Sequence, residues 1–400
     1  MTSGDDPTAR AAALHEEAIA ARLEGRYQDG ERACRQAVEI FAAVDGPDSA
    51  DLANALIEHG RLLDRLDRLP EAEAALDRAL GILDPLVGGG PLPEDIEMGT
   101  LRGFPNPPAM RAAGLSPAAL DADDEALVAD ELRRLLISAE LVRGGVVRAS
   151  GRLDEAEAQC RRALARAEAA FPDGDHLVAE ALNALGMIHK FQGRHAEAEP
   201  LYRRALAFAT AAGDQEAQAT LLHNLGGLCH ARGDFASGEA LARQAVALRE
   251  ALLGPAHPAV AADREAWGAL LEGLGRHAEA ESAYRSSLAT FETHQGPDSL
   301  EAASSLASLG SVQHAQGRLD EALTSYRRAL GIRQARLPPQ HFDLALTMNN
   351  LAMLLDDRGA HEEAHQLLER ALAIFTIALG PAHPHTRAVA ENVEALAKRN

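Results

Sequence analysis

The 400-residue chain is poor in cysteine, aromatics and positive charge, and it has no long apolar run. Cys34, Cys160 and Cys229 are too few and too scattered for a disulfide framework or a four-ligand zinc site. Each falls in a helical segment, so they read as small core fillers in a reducing compartment. No stretch approaches the roughly 20 apolar residues of a membrane span. Residues 1–10 are polar and acidic, without the charged and apolar regions of a secretory signal. The expected location is therefore the cytoplasm, with no membrane partner. Lys+Arg number 39 against 60 Asp+Glu, a net charge of −21. That surplus of acid disfavours nucleic acid, whose phosphate backbone is bound by cations. P-loop, nucleophile-elbow and dinucleotide glycine motifs are all missing. Nucleotide and acyl chemistry have no visible site, no cofactor is implied, and the chain reads as non-enzymatic.

What is present is a repeat. The string Gly-Arg-x-x-Glu-Ala-Glu starts at Gly151, with close relatives at Gly193, Gly275 and Gly317 and looser copies at Gly25, Asp67, Gly233 and Gly359. Neighbouring anchors are 42 residues apart, except for one double gap of 84 and one of 40. Seven residues before each anchor stands Ala or Gly, as at Gly60, Gly186 and Gly310. Five and twelve after it the residue is again small, as at Ala198 and Ala205. Such columns predict two antiparallel helices per copy that cross at close range, where a bulky residue would overpack the contact by about 1–3 kcal/mol. Leu185 and Ile188, like Leu351 and Leu354, are spaced to share one helical face. Gly254-Pro255-Ala256-His257-Pro258 and Gly380-Pro381-Ala382-His383-Pro384 punctuate the copies, with Gly stopping one helix and Pro starting the next.

The pairs Leu185-Gly186, Leu225-Gly226 and Leu309-Gly310, with Ala198 to Tyr202, Ala280 to Tyr284 and Ala322 to Tyr326, resemble the tetratricopeptide repeat. The longer 42-residue period, Gly-Pro-Ala-His-Pro and Asn349-Asn350-Leu351-Ala352 resemble its kinesin-light-chain-like subgroup. The resemblance implies an all-α, right-handed superhelical solenoid of about eight repeats. Repeats 1–2 occupy residues 1–83, a Pro/Gly-rich insert residues 84–125 and repeats 3–8 residues 126–382. A capping helix over residues 383–400 turns Val393 and Leu396 inward. The insert holds seven of the 19 prolines, a density that argues against helix. It reads as a mobile surface loop or as a docking segment anchored by Leu101, Phe104 and Met110.

His361-Glu362-Glu363-Ala364-His365 matches H-E-x-x-H, a pattern that can place two imidazoles on one zinc with Glu362 as general base. The repeat explains it more simply. His361 fills a slot shared with His195 and His277, Ala364 is a packing residue, and no third ligand lies at a recognised spacing. A zinc hydrolase is thus a minor alternative, and no metal site is assigned.

Positions thirteen, ten, six and three before each anchor lie on one face of the first helix, opposite its buried side. Successive copies would line a concave groove with them. The candidates are Asn183, Met187 and Lys190, then Thr220, His223 and His230, then Glu265, then Ser311 and His314, and last Asn349 and Met353, with Asn224 and Asn350 one position round the helix, where an amide bridging neighbouring repeats is the competing reading. By resemblance, Asn183, Asn224, Asn349 and Asn350 hold the backbone of a bound peptide, because an amide supplies both a donor and an acceptor. Lys190 is the only lysine in the repeats, which speaks against a clamp for chaperone tails. Glu265, Glu272, Asp356 and the net charge favour a partner of positive charge. The function expected is a non-catalytic adaptor that binds a protein or peptide partner. A second reading is a regulatory subunit whose groove is occupied by its own insert. Nothing in the sequence sets the oligomeric state.

Overall fold

A computed structural model describes residues 6–87, 122–171, 174–381 and 383–397. Among the described residues there are seventeen helices and no strand. Contacts divide the chain into two units, Met1–Ala212 and Gly213–Asn400. The first holds four antiparallel pairs: α1 (Pro7–Leu23) with α2 (Tyr27–Val44), α3 (Ala50–Arg65) with α4 (Leu69–Val87), α5 (Ala122–Ala149) with α6 (Leu153–Ala170), and α7 (His176–Phe191) with α8 (His195–Ala211). The second holds four more: α9 (Gln215–Ala231) with α10 (Phe235–Leu253), α11 (Pro258–Gly273) with α12 (His277–Gln295), α13 (Leu300–Ala315) with α14 (Leu319–Arg336), and α15 (Phe342–Asp357) with α16 (His361–Leu379). A final helix, α17 (Pro384–Ala397), packs on α16. The eight repeats and terminal helix expected from the period are the ones observed.

Each anchor is the turn inside a pair. The backbone there is left-handed, with φ between 72° and 81° at Gly25, Gly151, Gly193, Gly233, Gly275, Gly317 and Gly359. Glycine adopts it without strain, and Asp67, at φ 58°, is the one non-glycine anchor to do so. The starts of first helices are capped by side chains that accept backbone N–H bonds, Ser49 from Leu52 and Ser299 from Ala302, each at 3.2 Å. His257 does the same, its Nδ1 accepting from Ala259 at 3.1 Å, and His383 accepts from His385 at 3.2 Å. The recurring histidine of Gly-Pro-Ala-His-Pro is therefore a helix cap. An accepting Nδ1 requires the neutral ring, and burial lowers the pKa of His257 accordingly.

The small-residue column has a specific partner. Where a glycine stands seven places before an anchor, the residue nine places after that anchor packs against it. A Cβ on Gly186 would lie 2.6 Å from the Tyr202 ring, on Gly268 2.5 Å from Tyr284, and on Gly310 2.8 Å from Tyr326. These three tyrosines are among the largest fully buried side chains. Where Ala242 takes the ring's place, Gly226 has room, and a Cβ there would meet nothing closer than 3.4 Å.

The motif's charged residues bind repeat to repeat. Arginine one place after an anchor pairs with the glutamate six places after the preceding anchor: Arg68 with Glu31 at 3.2 Å, Arg152 with Glu73 at 2.5 Å and Arg276 with Glu239 at 3.5 Å. Arg194 with Glu157 and Arg318 with Glu281 repeat the arrangement. Burial raises the Glu157 carboxyl, but hydrogen bonds from Arg161, Gln192 and Arg194 outweigh it and bring it down to about 2. The bond from Arg318 likewise draws Glu281 down to about 2.

α4 runs to Val87, with Pro85 inside it, and α5 begins at Ala122, so helix takes in both ends of the stretch 84–125 that the sequence reads as non-helical. α5 packs directly on α3 and α4, with Leu132 and Leu136 in one core with Leu76 and Leu83. The stack thus continues past the insert. Leu101, Phe104 and Met110 lie outside the described residues. On α17, Leu396 is buried and Val393 packs against the same cluster as Leu351 and Phe375. Cys34 and Cys160 are buried free thiols, and burial pushes Cys160 up to about 12.

Two glycines in one column should respond in opposite ways. Gly268→Ala forces the Tyr284 ring aside and is expected to cost about 1–3 kcal/mol. Gly226→Ala places its Cβ in ordinary van der Waals contact with Gly238 and Ala242 in a helix and should stabilise by about 0.5–1 kcal/mol. Urea denaturation of the two variants followed by circular dichroism decides this, and equal effects would contradict the packing argument.

Candidate inner-face binding site

The first helix of each pair buries one side and leaves a half-buried row on the other. In the Met1–Ala212 unit, Asn183, Met187 and Lys190 fall on that row of α7, each half-buried. Burial lowers the pKa of Lys190, and no neighbouring carboxylate opposes the shift. One repeat earlier the same row holds Arg148 on α5, and two earlier Arg61 on α3. Arg61 donates to Ser138 Oγ at 2.7 Å. Arg148 stands over the Phe191 ring, 5.1 Å from its centroid. Neither arginine is among the sequence candidates, which begin at Asn183. Counting back from Asp67 and Gly151 would have found both.

In the Gly213–Asn400 unit the row is engaged in hydrogen bonds. Thr220 Oγ1 accepts from Arg249 at 3.1 Å. His223 Nδ1 lies 2.8 Å from the buried Asp263, which also takes Arg249 Nε at 2.7 Å. His230 is exposed and edge-on to Phe235, and His314 Nε2 meets Asp357 at 2.8 Å. Asn349 Nδ2 donates to Asn350 Oδ1, while Asn392 of α17 donates to Asn349 Oδ1, both at 3.2 Å. One of the four candidate amides, Asn349, thus joins its repeat to the terminal helix, and a second, Asn350, is bonded to it. Met353 is half-buried on the same row, and Asn224 sits half-buried on α9.

The carboxylates are held from within. Ser305 Oγ donates to Glu265 at 2.5 Å. Glu272 accepts from Tyr284 Oη at 3.0 Å and from Ser311 Oγ at 2.6 Å. Burial raises the Glu265 carboxyl to about 7, against the hydrogen bonds from Ser305, Ser308 and Ser287. Three of the acidic and hydroxyl groups that suggested an open polar groove are therefore engaged across repeats, Glu272 with Ser311 and Glu265 with Ser305.

His361 Nδ1 meets Asp356 at 2.7 Å and His365 Nδ1 meets Glu369 at 3.6 Å. Each imidazole of the H-E-x-x-H string has a carboxylate of its own. Among the described residues there is no group of three or more His, Cys, Asp or Glu that could hold a metal.

Stacked antiparallel pairs with a left-handed turn in each and a polar row along the first helices define a helical-repeat interaction fold. The chain belongs to the tetratricopeptide repeat family, whose model matches residues 9–84, 135–211, 217–293, 264–335 and 301–377. Among solved structures it is similar to a Rap protein complexed with Competence and Sporulation Factor, at 15% identity over 98% of this chain and 99% of that one, with a TM-score of 0.56. It is also similar to BtubC (BKLC) from P. vanneervenii, at 24% identity over 58% of this chain and 94% of that one, with a TM-score of 0.49. Kinesin-light-chain repeats from Podosopora anserina match at 21% identity over 50% of this chain and 95% of that one, with a TM-score of 0.42. No curated protein matches the chain. No helix among the described residues is long and apolar enough to cross a membrane.

Glu265 gives a pH prediction. Its folded value of about 7 lies above its ordinary 4.5, so the protonated form is favoured in the fold. The stability it contributes is complete below pH 4.5 and is lost as pH rises through 7, by about 3 kcal/mol at most. Urea midpoints measured from pH 5 to 8 should fall more steeply for the parent than for Glu265→Gln. Parallel slopes would show that the carboxyl is ionised in the fold throughout.

Proposed function

We propose that the protein is a non-catalytic, cytoplasmic scaffold that holds a peptide or partner segment against the inner faces of its helix pairs. The observation that carries this reading is the row of half-buried polar side chains at a fixed register on successive first helices. Half-burial leaves such groups dry enough to bond strongly and open enough to be reached. The Rap protein of like fold and length is solved in complex with a separate factor, which supports the view that stacks of this size accommodate a ligand. Asn183, Met187 and Lys190 on α7, and His223, Asn349 and Met353 in the second unit, are the residues assigned to it.

The expectation of a basic partner has lost part of its support. Glu265 and Glu272 are spent on hydroxyl partners and Asp356 meets His361 within the chain, which leaves the net charge of −21 as its remaining basis.

The test compares lysate capture by the intact chain with a variant carrying Asn183→Ala, His223→Ala, Asn349→Ala and Met353→Glu. A control carries Arg203→Ala and Arg285→Ala on second helices, and all three are checked for helical circular dichroism. A partner read by mass spectrometry should be retained by the control and reduced about tenfold or more by the inner-face variant, as loss of central contacts predicts. Equal capture by all three would move the working surface off the inner face.

A further inference from the structure

Not all helix starts in this chain are capped by the same chemistry. Asp6, Ser49 and Asp175 cap α1, α3 and α7 of the first unit, and Asp214 and Ser299 cap α9 and α13 of the second. Three further helices of the second unit, α11, α15 and α17, are capped by imidazole. Ala259, Asp343 and His385 donate their backbone N–H to Nδ1 of His257, His341 and His383, at 3.1, 3.2 and 3.2 Å. The two kinds of cap occupy one slot of the turn between repeats. Gly46-Pro47-Asp48-Ser49 and Gly296-Pro297-Asp298-Ser299 place serine there, whereas Gly254-Pro255-Ala256-His257, Pro338-Pro339-Gln340-His341 and Gly380-Pro381-Ala382-His383 place histidine. Each histidine turn joins one helix to the neighbour it packs on: α10 to α11, α14 to α15 and α16 to α17.

Serine and aspartate oxygens accept a hydrogen bond throughout the range from about pH 5 to 8, but an imidazole nitrogen accepts only while the ring is neutral. Proton uptake turns Nδ1 into a donor that faces a donor, and it sets a cation on the positive end of a helix. The surroundings act on each ring as well. At His257, burial disfavours the cation most, followed by His294 of α12 and Arg249 of α10, while Glu216 of α9 favours it. His383 is stacked on His385 with 5.4 Å between ring centroids, so two imidazolium charges there would repel. His385 stacks in turn on Phe375 of α16, and Phe342, the first residue of α15, meets both edge-on. The caps of α15 and α17 therefore border one aromatic cluster. At His341, Asp343 Oδ2 lies 3.9 Å from the ring, and the facing cation is Arg333 of α14, which donates to the Asp343 carbonyl at 3.2 Å.

We propose that the second unit is an acid-sensitive stack, in which the turns that open α11, α15 and α17 hold while His257, His341 and His383 are neutral and loosen when these rings are protonated. Proton uptake alone drives the change, with or without a bound partner. Because the caps lie between helix pairs, acid frees the seams from repeat to repeat and leaves the glycine contacts inside each pair in place. The sign follows from His257. Its folded value lies below the ordinary 6.5, so its contribution to stability is fully present above pH 6.5 and is lost as pH falls from there through the folded value. Glu265, in the same unit, runs the opposite way.

The test compares the full chain with a triple variant, His257→Ser, His341→Ser and His383→Ser, which installs the cap of Ser49 and Ser299 at all three turns. Urea unfolding followed by circular dichroism is measured at about pH 8 and about pH 5, on either side of the ordinary imidazole value. At the higher pH the two folding equilibria should agree within about threefold. At the lower pH the parent should be the weaker by about tenfold or more, as linkage requires when rings that charge in the unfolded chain stay neutral in the fold. The Glu265 contribution is common to both chains and drops out of the ratio. An unchanged ratio at the two pH values overturns the proposal. If the Ser triple does not fold, a triple to Asp, the cap already used at Asp175 and Asp214, takes its place with the same two outcomes. A second readout needs only the parent fold: nuclear magnetic resonance of ring-¹⁵N histidine, with signals assigned by single Ser variants. His257, His341 and His383 should be in the Nε2–H tautomer at about pH 8, and His257 should titrate below 6.5. The Nδ1–H tautomer at these rings, which cannot accept from a helix, would equally overturn it.

Discussion

Everything in this chain depends on how closely two antiparallel helices can approach. At the crossing, a glycine on the first helix receives the side chain nine places past the anchor on the second, and that side chain is a tyrosine in three pairs. Burying so large a side chain contributes on the order of 2–3 kcal/mol, and it is possible only because the facing residue has no Cβ. The same contact fixes the pair's register and carries the phenol through to the opposite face. A packing device thereby delivers a hydrogen-bonding tip to the surface where a ligand would lie, and the row residue in front of it decides whether the tip is satisfied from within.

Charge in this protein is first a structural resource. Arg68, Arg152, Arg194, Arg276 and Arg318 each reach back to the preceding repeat's glutamate, so much of the conspicuous motif is a ladder of repeat-to-repeat ion pairs. Exposed pairs of this kind contribute only about 0–1 kcal/mol each. Set at every step, they favour one register over its neighbours. A net charge summed over such a chain therefore says little about a partner. What matters is the few charges that the ladder and the serine and tyrosine hydroxyls leave over, and in the first unit these are of both signs, the Lys190 ammonium and the half-buried Asp64 carboxyl among them.

The fold was legible because its causes are local. A 42-residue period, small residues at fixed offsets, Gly-Pro punctuation and a final apolar helix each follow from steric rules that act within one or two turns. The identity of the packing partner was less so: the glycine column announced a close approach but did not say that the visitor was Tyr202, Tyr284 or Tyr326. The inner face was legible as a list of residues and not as chemistry. Glu265 reads as an open acid until Ser305, forty residues on, is placed against it, and Asn349 reads as a free amide until Asn392 arrives from α17. In a stacked repeat a side chain's neighbours come from the next copy, so its state depends on two rows at once.

Under the proposed function, that dependence would also limit how much of a ligand any one pair reads. The row positions ten, six and three before an anchor span seven residues, about 10 Å of helix, which matches about three residues of extended peptide. A single pair thus offers a short site of its own composition. The pair built on α7 presents Asn183, Met187 and Lys190, an amide, a thioether and a cation. The pair built on α13 presents Ala307, Ser311 and His314, of which Ser311 and His314 are bonded to Glu272 and Asp357. Under the proposed function, substitution at a row position that the tyrosine hydroxyl does not touch would retune one short site while the contact of the ring with its glycine stays as it is. The ring packs on the glycine while its hydroxyl reaches the row, as Tyr284 does at Glu272, so frame and inner face are coupled at the tyrosine tip and independent elsewhere along the row.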